Sequence, residues 1–331
     1  MTSADAARLA VVIPVFNEED VLPELFRRLE ATLGAVPVAD WQVILVNDGS
    51  SDGSQHAILR QCAGNSRFAS LELSRNFGHQ AAIAAGLAHA DTDAVVVMDG
   101  DLQDPPEVIP ELVAAWRQGG EVILAMRRSR QETGLARRLG FSLFHGLFAL
   151  IADTPMVMRT GVFGLLDRRV VGELNRLSER HRFLPGLRSW IGFRQRVVHY
   201  DRADRAGGRP KQTLVRLVQY ALDAIISFSF KPLRLMTLTG IVISLVAFVL
   251  ASVFVVKRLA GIEVAQTGFT TLVTLILFLG GIQLIAIGLL GEYLGRTYDE
   301  VKARPLYIVR ERVGLEHVQV PETREEALRR G

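Results

Sequence analysis

Two carboxylates one residue apart, Asp99 and Asp101, follow the β-branched run Ala94–Met98 and precede Leu102-Gln-Asp-Pro-Pro106. Strands send alternate side chains to opposite faces, but a chain leaving a strand end can turn both carboxylates toward one point. Two hard oxygen ligands there suit a divalent cation with positions left for phosphate oxygens. An ion held in this way can neutralise a departing diphosphate. Far downstream lie two long apolar runs, Leu233–Val256 and Phe269–Leu290. A diphosphate site and a membrane anchor in one chain point to chemistry that ends on a lipid.

The elements that must position these carboxylates follow from periodicity. Apolar β runs at Leu9–Val15, Trp41–Asn47, Phe68–Leu73, Ala94–Met98 and Glu121–Met126 alternate with helical patterns at Glu19–Leu33, Asp52–Gln61, Gln80–Ala90 and Pro106–Trp116. Continuous apolar strands separated by helices predict an α/β fold, with a mainly parallel sheet covered on both faces. Ligands of such sheets bind at the carboxyl ends of the strands. Polar clusters fall at four of those ends: Pro14 to Glu18, Asn47 to Asp52, Ser74 to Gln80 and Asp99 to Asp104.

The middle of the chain is less regular. Leu135–Ile151, Arg168–Arg176 and Pro185–Ile191 read as helices, and Arg196–Tyr200 as a strand. Leu214–Phe228 has apolar residues at helical spacing and suits a membrane surface. Each of the two runs that follow has the roughly 20 uncharged residues a bilayer requires. Lys231 precedes the first run and Arg234 lies at its very start, and Arg296, Lys302, Arg304, Arg310 and Arg312 follow the second. Lys257 and Arg258 in the connecting loop are offset by Glu263. The positive-inside rule then predicts two spans in the inner (cytoplasmic) membrane with both termini cytoplasmic. The expected division is 1–211 catalytic domain, 212–230 surface helix, 231–295 two membrane helices and 296–331 cytosolic tail.

Composition narrows the classes. Apolar residues make up 49% of the 331, and the mean hydropathy of +0.23 is high for a soluble protein. A net charge of +3 gives no bulk attraction to nucleic acid. Cys62, the one cysteine, excludes an intramolecular disulfide framework and a cysteine zinc cluster. The N-terminus lacks a basic start followed by an apolar core, so no signal peptide is expected. No Gly-x-Gly-x-x-Gly follows the first strand, which argues against a dinucleotide oxidoreductase.

Four motifs carry a resemblance: Ile13-Pro-Val-Phe-Asn-Glu18, Val46-Asn-Asp-Gly-Ser-Ser-Asp-Gly-Ser54, Ser74-Arg-Asn-Phe-Gly-His-Gln80 and Met98-Asp-Gly-Asp-Leu-Gln-Asp-Pro-Pro-Glu107. They resemble glycosyltransferase family 2, and within it the polyisoprenyl-phosphate glycosyltransferases related to dolichol-phosphate mannose synthase. The likeness includes Arg182-Phe-Leu-Pro-Gly-Leu187, Trp190-Ile-Gly-Phe193 and the paired spans, and runs to Arg304-Pro-Leu-Tyr-Ile-Val309. It implies a GT-A fold and inverting transfer of a sugar from a nucleotide diphosphate, UDP favoured over GDP, to a polyprenyl phosphate. By resemblance, Pro14, Phe16, Asn17, Glu18, Asp48, Asp99, Gly100 and Asp101 would bind the nucleotide sugar. Asp99, Asp101 and Gln103 would hold Mg²⁺ or Mn²⁺, and Asp99, Asp101 and Arg127 would serve catalysis.

The residues themselves agree. Asp48 follows a strand, so its carboxylate can accept from a base imide or amine, and Phe16 can pack on a nucleoside. Asn47-Asp-Gly-Ser50 also reads as a β-turn and Asp52 as a helix N-cap. Asp104 before Pro105 reads as a cap for the next helix. His79 reads as a positioning residue rather than a base. Guanidinium groups bind phosphate in a bidentate fork and an ammonium binds it as a point charge, so Arg127, Arg205, Arg209 and Lys211 are candidates for the acceptor phosphate, with Arg216 and the C-terminal arginines serving the lipid surface. A phosphate acceptor is already ionised and needs no general base.

One stretch departs from the pattern. Relatives resemble Asp-x-Gly-Asp-Phe-Arg-Leu where this chain reads Arg159-Thr-Gly-Val-Phe-Gly-Leu165. Two acids are replaced by Arg159 and Val162, and an arginine by Gly164. A catalytically silent partner is therefore weighed beside the enzyme. A processive synthase lacks its Gln-x-x-Arg-Trp motif here, and a transporter would place charge within a span. Self-association through Leu214–Phe228 is a further expectation.

Overall fold

The computed structural model describes residues 7–128, 161–180, 182–201, 231–260 and 268–315. They fall into two compact units, one holding 7–128, 161–201 and 304–315, the other 231–260 and 268–303. The predicted helices at Leu135–Ile151 and Leu214–Phe228 lie outside the described residues.

The first unit is built on an eight-stranded sheet. Its strands are β1 (Arg8–Val15), β2 (Asp40–Asn47), β3 (Phe68–Leu73), β4 (Ala94–Val97), β5 (Val122–Arg127), β6 (Gly164–Asp167), β7 (Gln195–Tyr200) and β8 (Val309–Val313). The spatial order is β7-β5-β6-β4-β1-β2-β3-β8. β1 pairs in parallel with β2 and β4, β2 with β3, and β5 with β7. β6 runs antiparallel to both β4 and β5, and β8 antiparallel to β3. The sheet is thus mixed. Its parallel centre is the expected one, and two short antiparallel strands are additions.

Helices α1 (Leu22–Ala35), α2 (Ser54–Gly64) and α4 (Ile109–Arg117) cover one face, while α3 (His79–His89) and α5 (Arg168–Arg176) cover the other. A shorter helix, α6 (Leu184–Trp190), packs against α5. Helix α1 buries Leu22, Leu25, Phe26, Leu29 and Leu33, the spacing of one helical face. It begins with Pro23 in its first turn and stops at Val36, before Pro37. That face meets Leu9, Val11, Ile13 and Val15 of β1 in one apolar core. Each fully buried leucine there contributes about 1.5–3 kcal/mol. Phe68 adds edge-on contacts with Phe26 at 5.6 Å and Trp41 at 6.1 Å. Helix α3 has little amphipathy in its sequence, His-Gln-Ala-Ala-Ile-Ala-Ala-Gly-Leu-Ala-His, and it is buried nearly throughout. Its small residues let its backbone lie close to β1 and β2.

The second unit consists of two long helices, α7 (Lys231–Leu259) and α8 (Phe269–Lys302). At about 1.5 Å per residue, both exceed the ~30 Å of a hydrocarbon core. Apolar side chains such as Phe248, Ile276, Phe278 and Ile285 are exposed on them. Among the described residues one stretch, Phe278–Lys302, is long and apolar enough to cross a membrane, with mean hydropathy 1.5. The apolar stretch of α7, Met236–Leu250, is shorter. Helix α8 continues past the anticipated end of the second run to Lys302. The residues read as a tail then return to the first unit as β8.

Candidate active site

The carboxyl ends of β1, β2 and β4 open into a cleft of about 320 Å³. From β1 come Pro14, Val15, Phe16 and Glu18, and from the end of β2 comes Asp48. Asp99, Gly100 and Asp101 follow β4, and Asn76, Gly78 and His79 come from the loop that starts α3. Parallel β1, β2 and β4 all point their carboxyl ends the same way, which is why separate polar clusters converge here.

The turn after β2 is tied to the turn after β1. Asn17 adopts the left-handed region at φ 56°, which asparagine tolerates better than most residues. Its Oδ1 accepts from the Ser51 amide at 2.8 Å, and its own amide donates to Ser50 Oγ at 3.1 Å. Asn47 Oδ1 accepts from Ser50 N at 2.9 Å. Asp52 accepts from the amides of Ser54 at 3.0 Å and Glu19 at 3.3 Å, so it fixes the first turn of α2 and is not among the cleft-lining residues. These residues build the frame, and Asp48 carries the charge.

Asp48 is buried, and its carboxylate accepts from the backbone amides of Phe77 at 2.7 Å and Gly78 at 2.9 Å. Burial pushes its pKa above the ordinary carboxylate value, and the two amides pull partly back. Gly49 next to it has φ +69°, and a Cβ there would meet the Arg75 carbonyl carbon at 2.5 Å and Asn76 N at 2.6 Å. Only glycine allows the two loops this close.

Asp99 and Asp101 stand together on the cleft wall. His79 Nε2 lies 2.8 Å from Asp99 Oδ1, and Asp101 Oδ1 accepts from Gln103 N at 3.0 Å. Leu102, which follows Asp101, has φ 56°, an uncommon conformation for leucine, and it packs against the apolar core. The loop is fastened at its far end. The Tyr200 hydroxyl donates to Asp104 Oδ1 at 2.5 Å, and Arg28 forks onto Glu107 at 2.8 and 2.5 Å. The expected cap at Asp104 is therefore corrected. Pro105 precedes the 3₁₀ turn Pro106–Val108, that turn has no side-chain cap, and Asp104 reaches β7 instead.

Two carboxylates on one wall fit a hard, oxygen-seeking cation that keeps positions for water and phosphate. Among the described residues, no group of three His, Cys, Asp or Glu is arranged to hold a metal ion.

The structure brings together Pro14, Phe16, Glu18, Asp48, Asp99, Gly100 and Asp101. Asn17 and Gln103 sit in the flanking turns and are not among the lining residues. Arg127 ends β5, exposed, outside that lining. Arg205, Arg209, Lys211 and Arg216 lie outside the described residues, as does Arg159. Sequence reasoning passed over Asn76 and Gly78 as lining groups, although their motif had been singled out. It also passed over Tyr200, whose role nothing in a strand-end tyrosine announces.

At Gly164 the departing stretch has a local explanation. A Cβ at Gly164 would meet the Ile123 carbonyl oxygen at 2.3 Å, so β6 runs too close to β5 for a side chain there. Val162 and Phe163 are buried. The fully buried Arg188 of α6 donates to the carbonyls of Gly161 at 2.7 Å and Val162 at 3.2 Å. Burial pushes its pKa down to about 10, which leaves it charged at neutral pH. Its Nε has no partner among the described residues.

Residues 10–174 match the family described as Glycosyl transferase family 2, and residues 231–297 match the one described as GtrB C-terminal hairpin. An uncharacterized glycosyltransferase of Synechocystis is 42% identical over 311 residues, 94% of this chain and 97% of that one. A prophage bactoprenol glucosyl transferase homolog of Escherichia coli is 38% identical, covering 92% of this chain and 98% of its own length. The bactoprenol glucosyl transferase of Shigella phage SfII is also 38% identical, over 92% and 97%.

Proposed function

The chain belongs to glycosyl transferase family 2, and from that premise we propose that it moves a sugar from a nucleoside diphosphate to a polyprenyl phosphate. The observation that carries this reading is the cleft in which Asp48, Asp99 and Asp101 meet. The bactoprenol glucosyl transferase names of relatives matched over nearly their whole length support the acceptor class.

In this reading the nucleoside stacks near Phe16, which is 46% exposed at the mouth of the cleft. Asp48 accepts from the base through lone pairs its two amide donors leave unused. Asp99 and Asp101 would hold Mg²⁺ or Mn²⁺, which when bound would neutralise charge on the departing diphosphate. His79 orients Asp99. Arg127, with Arg205, Arg209 and Lys211, holds the lipid phosphate. One oxygen of that phosphate attacks the anomeric carbon in line. The new carbon–oxygen bond forms as the bond to the diphosphate breaks, and the electron pair leaves with the nucleoside diphosphate. Backside attack inverts the anomeric centre. The acceptor is already ionised, so no residue need remove a proton. UDP is the favoured carrier. Helices α7 and α8 form two spans that keep both termini and the first unit on the cytoplasmic face, where lysines and arginines flank the runs.

Purified protein is to be assayed for nucleoside diphosphate release from UDP- and GDP-sugars, with and without undecaprenyl phosphate. Release that requires the lipid and falls about a hundred- to a thousandfold in Asp101→Ala is expected. Folded protein that binds nucleotide but releases nothing with any donor would favour a silent binding partner.

A further inference from the structure

We propose that the strand following the second long helix is a working part of the cleft, with Arg310 as the positioning residue that sets the Ser74–His79 loop. The proposal rests on the donor reading above for its functional consequence, but its geometry stands by itself.

Strand β8 pairs with β3 through Ser70↔Val313, Leu71↔Arg312 and Glu72↔Glu311, and then the register shifts so that Leu73 faces Val309. The slip leaves Arg310 with no residue opposite it. A bulge of this kind re-aims a side chain. Here the guanidinium turns along β3, where Nη1 donates to Glu72 Oε1 at 2.9 Å and Nη2 to the Ser74 carbonyl at 3.0 Å. The Ser74 amide donates to the Ile308 carbonyl at 2.8 Å. Both backbone groups of Ser74 are thereby held by β8 and the residue just before it.

Ser74 is the root of the loop that serves the cleft. Phe77 and Gly78 give their amides to Asp48, and His79 meets Asp99. The Arg75–Asn76 backbone leaves room for nothing larger than Gly49. The loop is thus pinned from one side by the turn after β2 and from the other by β8. Releasing either side frees Asn76, Gly78 and His79 to move in the cleft. A surface ion pair alone would do little, but the Glu72 side chain is only 13% exposed, and the carbonyl bond adds direction.

The test uses the full chain in detergent, with Arg310→Ala, Arg310→Lys and, as a control on the same strand, Arg312→Ala. Amide hydrogen exchange at Phe77 and Gly78 is followed beside the dissociation constants of UDP and GDP with Mg²⁺. Arg310→Ala is expected to speed exchange at both amides about tenfold and weaken the nucleotide about tenfold, each equivalent to about 1.4 kcal/mol. Arg310→Lys should recover part of both, and Arg312→Ala should change neither. Unchanged exchange in Arg310→Ala overturns the proposal, and so does faster exchange with wild-type nucleotide affinity. If the wild-type chain binds neither nucleotide, the donor reading fails, and exchange at Phe77 and Gly78 still decides whether Arg310 sets the loop.

Discussion

At the scale of single residues, Asp48 ties structure to pH. Burial, opposed by two amide bonds, raises its pKa above 3.8, so the folded state holds the proton more tightly than the unfolded chain. Ionising Asp48 therefore opposes folding, and its penalty grows as pH rises from 3.8 through the raised value. In the proposed site a base N–H would prefer the ionised form, so nucleotide binding would run the other way. Affinity for UDP is expected to fall as pH drops through the raised value, and Asp48→Asn should bind more weakly and lose that dependence. Calorimetric titration between pH 4 and 7 checks both. Much of this residue's environment was legible beforehand. A carboxylate after an apolar strand and before Gly-Ser belongs at a strand end, and three such ends in parallel must converge. Arg188 was illegible because arginines are rarely buried without an acid, and nothing in Leu-Arg-Ser-Trp marks this one. Asp104 misled because Asp-Pro is a frequent helix opening, and only the approach of Tyr200 shows the carboxylate turned elsewhere.

At the scale of elements, the long parallel strands and the amphipathic α1 were readable from pattern, since strands covered on both faces must be apolar throughout. The two antiparallel strands were not. β6 is four residues, Gly-Leu-Leu-Asp, too short for a period, and it owes its place to neighbours on both sides. β8 reads Val-Arg-Glu-Arg-Val, with its three charged residues exposed and only the end valines half-buried, which an edge strand allows. The close passage of β6 against β5 makes a specific claim. Gly164→Ala should destabilise the protein by about 1–3 kcal/mol, as added atoms do in a packed interior. The variant is expected to melt several degrees lower in detergent, and an unchanged melting temperature would mean that β6 has room to shift.

At the scale of the whole chain, the two long helices were evident from composition, and their charge flanks lead to a concrete topology. Cysteines placed singly at the N-terminus and after Val313, in a Cys62→Ser background, should resist an impermeant maleimide in intact cells and react after the inner membrane is opened. Labelling of either in intact cells would overturn the two-span arrangement. Strand β8 has a further consequence, which concerns time rather than geometry. Ser70 pairs with Val313 over a long stretch of chain, and β3 waits with an open edge until Val309–Val313 have been made. Between the two strands in order of synthesis stand both long helices. The nascent protein must therefore deliver its apolar hairpin before the sheet can close and the cleft loop can settle.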